Sequence, residues 1–520
     1  MTAPTPDGPR AGALWRRALL RAALVPVPVL APLIALAPSR DHRFNIYWHG
    51  GLFRDDPLRI VPHTVGSLPG YLRLGNFRLF GRMLEKALDL AAYALGDLGV
   101  PANVAFRLVS FVSAVLLTVT AVLLAESVVA RGRIFRQPPS TLAAVVPFAV
   151  AGGFVAAGGA SPAVLFGGLY HASAAVVLGV VALLCRIGYD ARPRLWWIPP
   201  LLAGGAALAA FNELAYLALP LATVAVAGRG RLVLAMPWRR LLTGPPARAL
   251  ALLWAGFLPV FGTVRVIIQQ YCAGGACYRG SDIVAGPAAA EAFPVRAIAW
   301  LPPLMWRGAV AGGSDRPWLA GSVLAGALLA LGVLAWLALR DLPRLSAVGR
   351  PAALAVAVTG GTLVALGAAM AALNADVQQI VAAGNWGNGW RDSAVTTTAG
   401  ALVVAAAAHV ARSSRWLPAV LVVLLAGGAA VSAAANKRFR DTTMNRPAAT
   451  LANRLAQEMT DFDRTPAGAA RRCALRADFI AEYGAGPYTL TRFDKSFDTA
   501  ARQRAGMPFC AGVTGANRGR

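Results

Sequence analysis

A polar stretch at residues 39–101 carries residue types that acid–base chemistry on an anionic substrate requires. Its candidate proton acceptors are Asp41 and the adjacent pair Asp55 and Asp56. One well-placed carboxylate is enough to remove a proton from an acceptor hydroxyl group. The adjacent pair stands directly before Pro57, however, and aspartates before a proline are also typical of a simple turn. Both interpretations of Asp55 and Asp56 stay open.

The same stretch holds candidate phosphate ligands. Arg73, Arg78 and Arg82 recur at short spacing around the start of an amphipathic segment. The planar guanidinium group matches the geometry of phosphate oxygens, so these three arginines are predicted substrate contacts. The alternative is that one or two of them extend along the membrane surface toward lipid headgroups.

A second cluster, at residues 385–392, combines tryptophan, asparagine and arginine. Trp386 and Trp390 alternate with asparagines, and Arg391 follows them. Tryptophan stacking and amide hydrogen bonds suit a sugar, and Arg391 adds a further candidate phosphate contact. A belt of interfacial tryptophans is the alternative origin of such a cluster.

Two ionisable residues lie within very apolar segments. Glu213 is a candidate catalytic acid, because an ionisable group near membrane depth is costly and marks a functional site by default. Alternatively, Asn212 and Glu213 form a hydrated hairpin turn at the external surface. His171 is more often a packing residue in such a setting. No third ligand stands at diagnostic spacing from the acids, so the sequence supports no cofactor, and a divalent metal has no support from spacing.

Composition places the chain in a membrane. Of its 520 residues, 57% are hydrophobic and 14% are charged, whereas soluble globular proteins carry about 25% charged residues. The formal net charge of +26 does not indicate nucleic-acid binding, because the arginines form short clusters between apolar runs. The sequence therefore predicts an all-α polytopic membrane protein.

Apolar runs near the bilayer-spanning length of about 20 residues predict about eleven transmembrane helices. The predicted spans are 18–38, 102–129, 140–160, 163–185, 195–211, 214–228, 249–270, 318–339, 351–373, 394–411 and 416–435. The short pair 195–211 and 214–228 has an alternative interpretation as one long broken helix.

Arginine clusters follow every second span, which predicts the orientation by the positive-inside rule. Residues 1–17 are the predicted cytoplasmic N-terminus, and 18–435 form the transmembrane domain. Its large external loops are 39–101, with predicted interfacial helices, and 271–317, with a predicted interfacial or re-entrant element. Residues 436–520 are the predicted external C-terminal domain and tail.

Cysteine placement agrees with this orientation. Cys272 and Cys277 share one predicted external loop, Cys473 and Cys510 share the external tail, and Cys185 stands alone at the cytoplasmic face. This distribution predicts two disulfides formed in an oxidising compartment. Chance placement of unpaired thiols is the alternative.

In architecture and loose motifs, residues 15–435 resemble the GT-C superfamily of membrane glycosyltransferases. The first span is followed by a large external loop with acids and the run Gly-Asn-Phe-Arg-Leu-Phe-Gly-Arg, and an external C-terminal domain ends the chain. The resemblance implies that Asp41, Asp55 or Asp56 is the catalytic base. It also implies that Arg78, Arg82 or Arg391 contacts the phosphate of a polyprenyl-linked sugar. The chain departs from the family pattern in having no acid pair immediately after the first span.

We therefore expect a multi-pass plasma-membrane glycosyltransferase that acts on the outer face of the bilayer. Its expected partners are the lipid bilayer, a polyprenyl-phosphate-linked sugar donor and a cell-envelope glycan or glycolipid acceptor. One alternative is a transporter or flippase for a lipid-linked or anionic substrate, although most predicted spans carry no ionisable residue. The other is a non-enzymatic cell-envelope assembly protein that binds through its C-terminal tail.

Overall fold

The computed structural model describes residues 8–38, 41–190, 195–273, 277, 283–310, 322–411, 414 and 416–510. Within these residues every regular element is a helix, and the extended segments form only isolated single-residue bridges. The predicted all-α class is therefore confirmed for this part of the chain.

The first two helices of the chain precede the polar stretch at residues 39–101, and the next three lie within it. They are α1 (Gly8–Leu24), α2 (Pro26–Leu30), α3 (His42–Phe53), α4 (Ile60–Arg73) and α5 (Leu79–Asp97). Proline has no backbone N–H and clashes with the preceding turn. The first apolar run is accordingly divided at Pro26, and α2 continues into a 3₁₀ turn that contains Pro32.

The next group of helices is mostly apolar. It comprises α6 (Ala102–Val129), α7 (Leu142–Ala151), α8 (Leu169–Cys185), α9 (Ile198–Ala209), α10 (Ala218–Gly228), α11 (Trp238–Thr243) and α12 (Pro245–Cys272). Between α9 and α10 the chain leaves the helical conformation, and the Asn212 side chain accepts a hydrogen bond from the Ala215 N–H at 3.2 Å. Residues 195–228 therefore form two helices joined by a capped turn.

The remaining helices complete the bundle and the C-terminal domain. They are α13 (Pro287–Ile298), α14 (Pro302–Val310), α15 (Ser322–Asp341), α16 (Arg350–Ala372), α17 (Ala375–Ala382), α18 (Ser393–Ala411), α19 (Leu417–Met444), α20 (Pro447–Thr460), α21 (Pro466–Tyr483) and α22 (Pro487–Ala505). Helix α19 continues beyond the predicted span end at residue 435. Asn436 is buried within the bundle and donates to the carbonyl oxygens of Val29 and Phe154, each at 2.8 Å.

Seven helical segments in the described part of the chain are long and apolar enough to cross a membrane. They are Ala102–Val129, Glu213–Val233, Pro245–Cys272, Ser322–Arg344, Arg350–Ala372, Ser393–Ala411 and Leu417–Met444. Shorter apolar helices coincide with further predicted spans at Leu142–Ala151, Leu169–Cys185 and Leu195–Ala209. The protein is thus a multi-pass membrane protein, while the count of about eleven crossings and their direction stay predictions.

The three C-terminal helices α20, α21 and α22 pack directly onto the first polar stretch. One hydrophobic core joins the two regions through the side chains of Phe44, Tyr47, Tyr93, Phe106, Leu455, Phe479, Phe493 and Phe497. Both predicted disulfides, Cys272–Cys277 and Cys473–Cys510, are confirmed, and Cys185 is a buried free thiol. The second disulfide ties α21 to the segment after α22.

Candidate functional site

The main cavity, of about 670 Å³, lies where α3 and α5 meet the start of α8 and the C-terminal helix α22. Five cationic and two acidic side chains line it. These are Arg78, Arg82, Lys86, Arg391 and Arg492, with Asp41 and Glu85. A wall with this excess of positive charge favours an anionic ligand.

Two smaller cavities border the first. One, of about 420 Å³, shares Asp41, Arg391 and Arg492 with it and has an aromatic wall that includes Trp390 and Tyr483. The other, of about 130 Å³, also contains Arg391 and is lined largely by apolar residues. Arg391 therefore lies at the point where the three cavities meet.

Polar stripes on α3 and α5 face each other beside the main cavity. His42, Asn45 and His49 follow helical spacing on α3, and Glu85 and Asp89 do so on α5. All five side chains are buried. The helices approach closely at Gly50, where a Cβ atom would lie 2.1 Å from the Tyr93 ring. Glycine at this position thus permits the two polar stripes to meet.

Asp89 lies between two imidazoles. His49 Nδ1 is 2.7 Å from one carboxylate oxygen, and His42 Nδ1 is 3.5 Å from the other. Burial by itself would raise the pKa of Asp89, but the facing imidazoles of His42 and His49 hold that pKa below its ordinary value. Asp89 is thus a buried carboxylate that orients His49, and His49 in turn lines the cavity.

Glu85 connects α3 to the cationic wall. It accepts a hydrogen bond from Asn45 Nδ2 at 3.0 Å and another from Arg82 Nη1 at 2.7 Å. Burial would raise the pKa of Glu85, but the Arg82 charge together with the nearby imidazoles lowers the pKa below its usual value. Arg82 is therefore held against the cavity wall by an ionised partner.

Lys86 is buried beside His63 and Thr64. Its Nζ atom lies 3.2 Å from His63 Nδ1 and 2.8 Å from Thr64 Oγ1. Burial lowers the pKa of Lys86 to about 8, and burial together with the Lys86 charge lowers the pKa of His63. The Glu85 carboxylate offsets only part of the effect of burial on the pKa of Lys86, and an anion in the cavity would stabilise the ammonium form further.

The three predicted aspartates of the first loop occupy different places. Asp41 lines the two larger cavities, and its Oδ1 atom accepts a hydrogen bond from Arg492 Nη1 at 2.6 Å. Asp55 is exposed and accepts from Gln503 Nε2 at 3.0 Å, while Asp56 caps the Leu58 N–H at 3.2 Å. The turn interpretation therefore fits Asp56, and neither it nor Asp55 is among the residues that line the cavities.

Glu213 is placed beside the site by the turn between α9 and α10. It accepts a hydrogen bond from Arg78 Nε at 2.8 Å and lines the smallest cavity. Burial alone would lower the pKa of Arg78, but the Glu213 carboxylate raises it above its ordinary value. The two predicted residues are thus joined in one ion pair.

Of the remaining residues predicted from the sequence, some line the cavities and others do not. Trp390 lines both smaller cavities, with the Arg391 guanidinium 4.9 Å from its ring centroid. Trp386 and Arg73 are exposed and are not among the residues that line the three cavities. His171 packs against Phe154, in agreement with its structural interpretation.

A buried ion pair holds the segment that carries Arg391. Arg296 on α13 donates to the Asp392 carboxylate at 2.6 and 3.1 Å and to the Asn388 carbonyl oxygen at 2.9 Å. Both charged side chains are almost fully buried. Removing either partner would leave an uncompensated charge, so this pair strongly constrains the position of Arg391.

Sequence reasoning missed His49, Asp89, Lys86 and Arg492 as members of the site. The first three had a signal, because polar residues recur at three- and four-residue spacing on α3 and α5. Arg492 lies on a helix 451 residues after Asp41 and had no comparable signal.

In the described residues, no three His, Cys, Asp or Glu side chains converge as a metal site would require. Comparison with known proteins finds no matching family model, curated protein or solved structure.

Proposed function

We propose that this protein transfers a sugar from a polyprenyl-phosphate donor to a cell-envelope glycan or glycolipid on the outer face of the plasma membrane. The observation that carries the proposal is the main cavity, where five cationic side chains face two carboxylates. Clustered arginines suit phosphate, because each guanidinium offers paired donors that match its oxygens.

The adjoining small cavity supports a lipid-linked donor. Its wall contains Leu214, Met370 and Leu373 next to the charged Arg391. Leu214 and Met370 belong to segments that are apolar enough to cross a membrane. A donor with a charged head in the main cavity and a prenyl chain along this apolar wall would match both environments.

The chemistry of transfer requires a base and an anion-stabilising wall. The acceptor oxygen loses its proton and attacks the anomeric carbon, while the bond from that carbon to the phosphate oxygen breaks. Arg78, Arg82 and Arg391 line the main cavity and would stabilise the departing phosphate. Of the first-loop aspartates considered from the sequence, Asp41 reaches the cavity.

The proposal is tested with purified protein in liposomes, radiolabelled polyprenyl-phosphate sugars and an extract of cell-envelope acceptors. Arg391→Ala is expected to lower the transfer rate by about 100-fold, as does removal of one donor to a developing anion. Arg59→Ala is the matched control, because Arg59 is an exposed first-loop arginine and is not among the cavity-lining residues. Movement of the lipid-linked sugar across the bilayer without a glycosylated product would contradict the proposal and favour a flippase.

A further inference from the structure

We propose that His49, oriented by Asp89, is the base that accepts the proton of the acceptor hydroxyl. His49 lines the main cavity, and its Nδ1 atom is 2.7 Å from Asp89 Oδ2. That contact leaves Nε2 as the ring nitrogen for a ligand. This inference rests on the proposed function, because it assigns a role within sugar transfer.

The position of His49 favours a role in catalysis over a role limited to hydrogen bonding with Asp89. His42 also faces Asp89, is equally buried, and is not among the cavity-lining residues. Of the two imidazoles, that of His49 is the closer to Asp89 and is the one that lines the cavity.

Asp41, the competing base, is already engaged. Its carboxylate accepts a short hydrogen bond from Arg492, and Arg492 Nη2 also donates to Asn45 Oδ1 at 3.0 Å. A hydroxyl group would have to displace this guanidinium before the Asp41 carboxylate received its proton. His49 requires no such displacement, because its partner Asp89 contacts the opposite nitrogen.

In the proposed step, a proton moves to His49 while the sugar moves to the acceptor oxygen. The acceptor O–H bond breaks, its proton passes to His49 Nε2, and the oxygen forms a bond to the anomeric carbon. The bond between that carbon and the phosphate oxygen breaks, and its electron pair leaves with the polyprenyl phosphate. Asp89 stabilises the imidazolium ion and holds the ring in position. The proton then passes to water, which restores the neutral imidazole.

The first test is chemical rescue in the transfer assay. His49→Ala is expected to lower kcat by about 100-fold or more with little change in KM, and added imidazole restores part of the rate. His171→Ala is the control, because it also removes a buried imidazole, and imidazole should leave its rate unchanged. Asp89→Asn should lower kcat with thermal stability retained. A folded His49→Ala protein that keeps wild-type kcat, or that imidazole fails to rescue, overturns the assignment.

A second test needs no variant. The wild-type protein is treated with diethyl pyrocarbonate, and carbethoxylation of each histidine is followed by peptide mass spectrometry. Modification of His49 is expected to match the loss of transfer in rate, and hydroxylamine should reverse both. Modification without inactivation, or inactivation without modification of His49, overturns the inference. If untreated wild-type protein transfers no sugar, the failure lies with the proposed function.

Discussion

Arg492 and Asp41 form an ion pair at 2.6 Å although 451 residues separate them in the chain. Arg492 lies on α22 of the C-terminal domain, and Asp41 lies directly before α3 in the first polar stretch. Both residues line the two larger cavities. The C-terminal domain therefore contributes a charged group to the candidate site, in addition to covering it.

Replacement of Arg492 should affect activity more than stability. The Asp41 side chain is 51% exposed and that of Arg492 is 19% exposed, so solvent screens their pair, and its loss should cost under about 1 kcal/mol of unfolding free energy. If the guanidinium positions substrate, Arg492→Ala should lower transfer by about tenfold, the value of one charged hydrogen bond. Transfer kinetics and thermal melting measure the two effects. Arg492→Lys keeps the charge and should lie between wild type and Arg492→Ala.

Close packing of α22 against α3 depends on Gly51. A Cβ atom at this position would lie 2.7 Å from the backbone of Ala500. Gly51→Ala should therefore displace α22 and destabilise the fold by about 1–3 kcal/mol. Limited proteolysis of the C-terminal domain and thermal unfolding measure this change.

Gly66→Ala is the matched control, because no atom lies within 4 Å of a Cβ built on this residue of α4. It should change stability by no more than about 1 kcal/mol, in the stabilising direction. Equal proteolysis of the two variants would contradict the packing argument.

Lys86 should make anion binding dependent on pH. Its pKa is lowered by burial to about 8, so the ammonium form is complete well below that pH and is lost as pH rises through it. The Kd for a polyprenyl-phosphate sugar should therefore increase across this range. Isothermal titration at a series of pH values measures the effect. Arginine keeps its charge over this range, so Lys86→Arg should remove the increase of Kd with pH. If the variant and the wild-type protein show the same dependence of Kd on pH, Lys86 does not contact the anion.

The two disulfides should differ in their contribution to stability. Cys473 and Cys510 are 37 residues apart, whereas Cys272 and Cys277 are 5 apart. By loop-closure entropy, loss of the longer-range bridge should cost about 4 kcal/mol and loss of the shorter one about 2 kcal/mol. Double serine variants compared by thermal or denaturant unfolding test this order. A larger effect from the short bridge would contradict it.

Thiol labelling tests the predicted orientation. After mild reduction, a membrane-impermeant reagent applied to intact cells should label Cys473 and Cys510, which belong to the predicted external domain. Cys185 is buried near the predicted cytoplasmic face and should remain unlabelled until the protein is denatured. Failure to label Cys473 and Cys510 would contradict both the orientation and an external site.

The all-helical class and the two disulfides followed from local properties of the sequence. An apolar run of about 20 residues satisfies its own backbone hydrogen bonds as a helix and needs no distant partner to be recognised. Residues 102–129, predicted from composition, match α6 at both ends. Cysteine pairing followed from the small number of thiols in each predicted compartment.

Tertiary packing decided which residues belong to the candidate site. Asp41 and Asp55 are close in the sequence, yet they stand at opposite ends of the 12-residue helix α3, about 18 Å apart at a rise of 1.5 Å per residue. Asp41 and His49 both line the main cavity, whereas Asp55, which follows the end of α3, does not. Composition could not distinguish these two aspartates, because both are acids in the same polar stretch.

The sequence by itself determined that acids and arginines are concentrated between the first two apolar segments. Helical spacing on α5 also determined which of its polar residues share a face. Only the tertiary structure placed His49 against Asp89 and brought Arg492 to Asp41. The physical reason is that burial of the aromatic core between α22 and α3 sets these positions, and such packing depends on residues hundreds of positions apart.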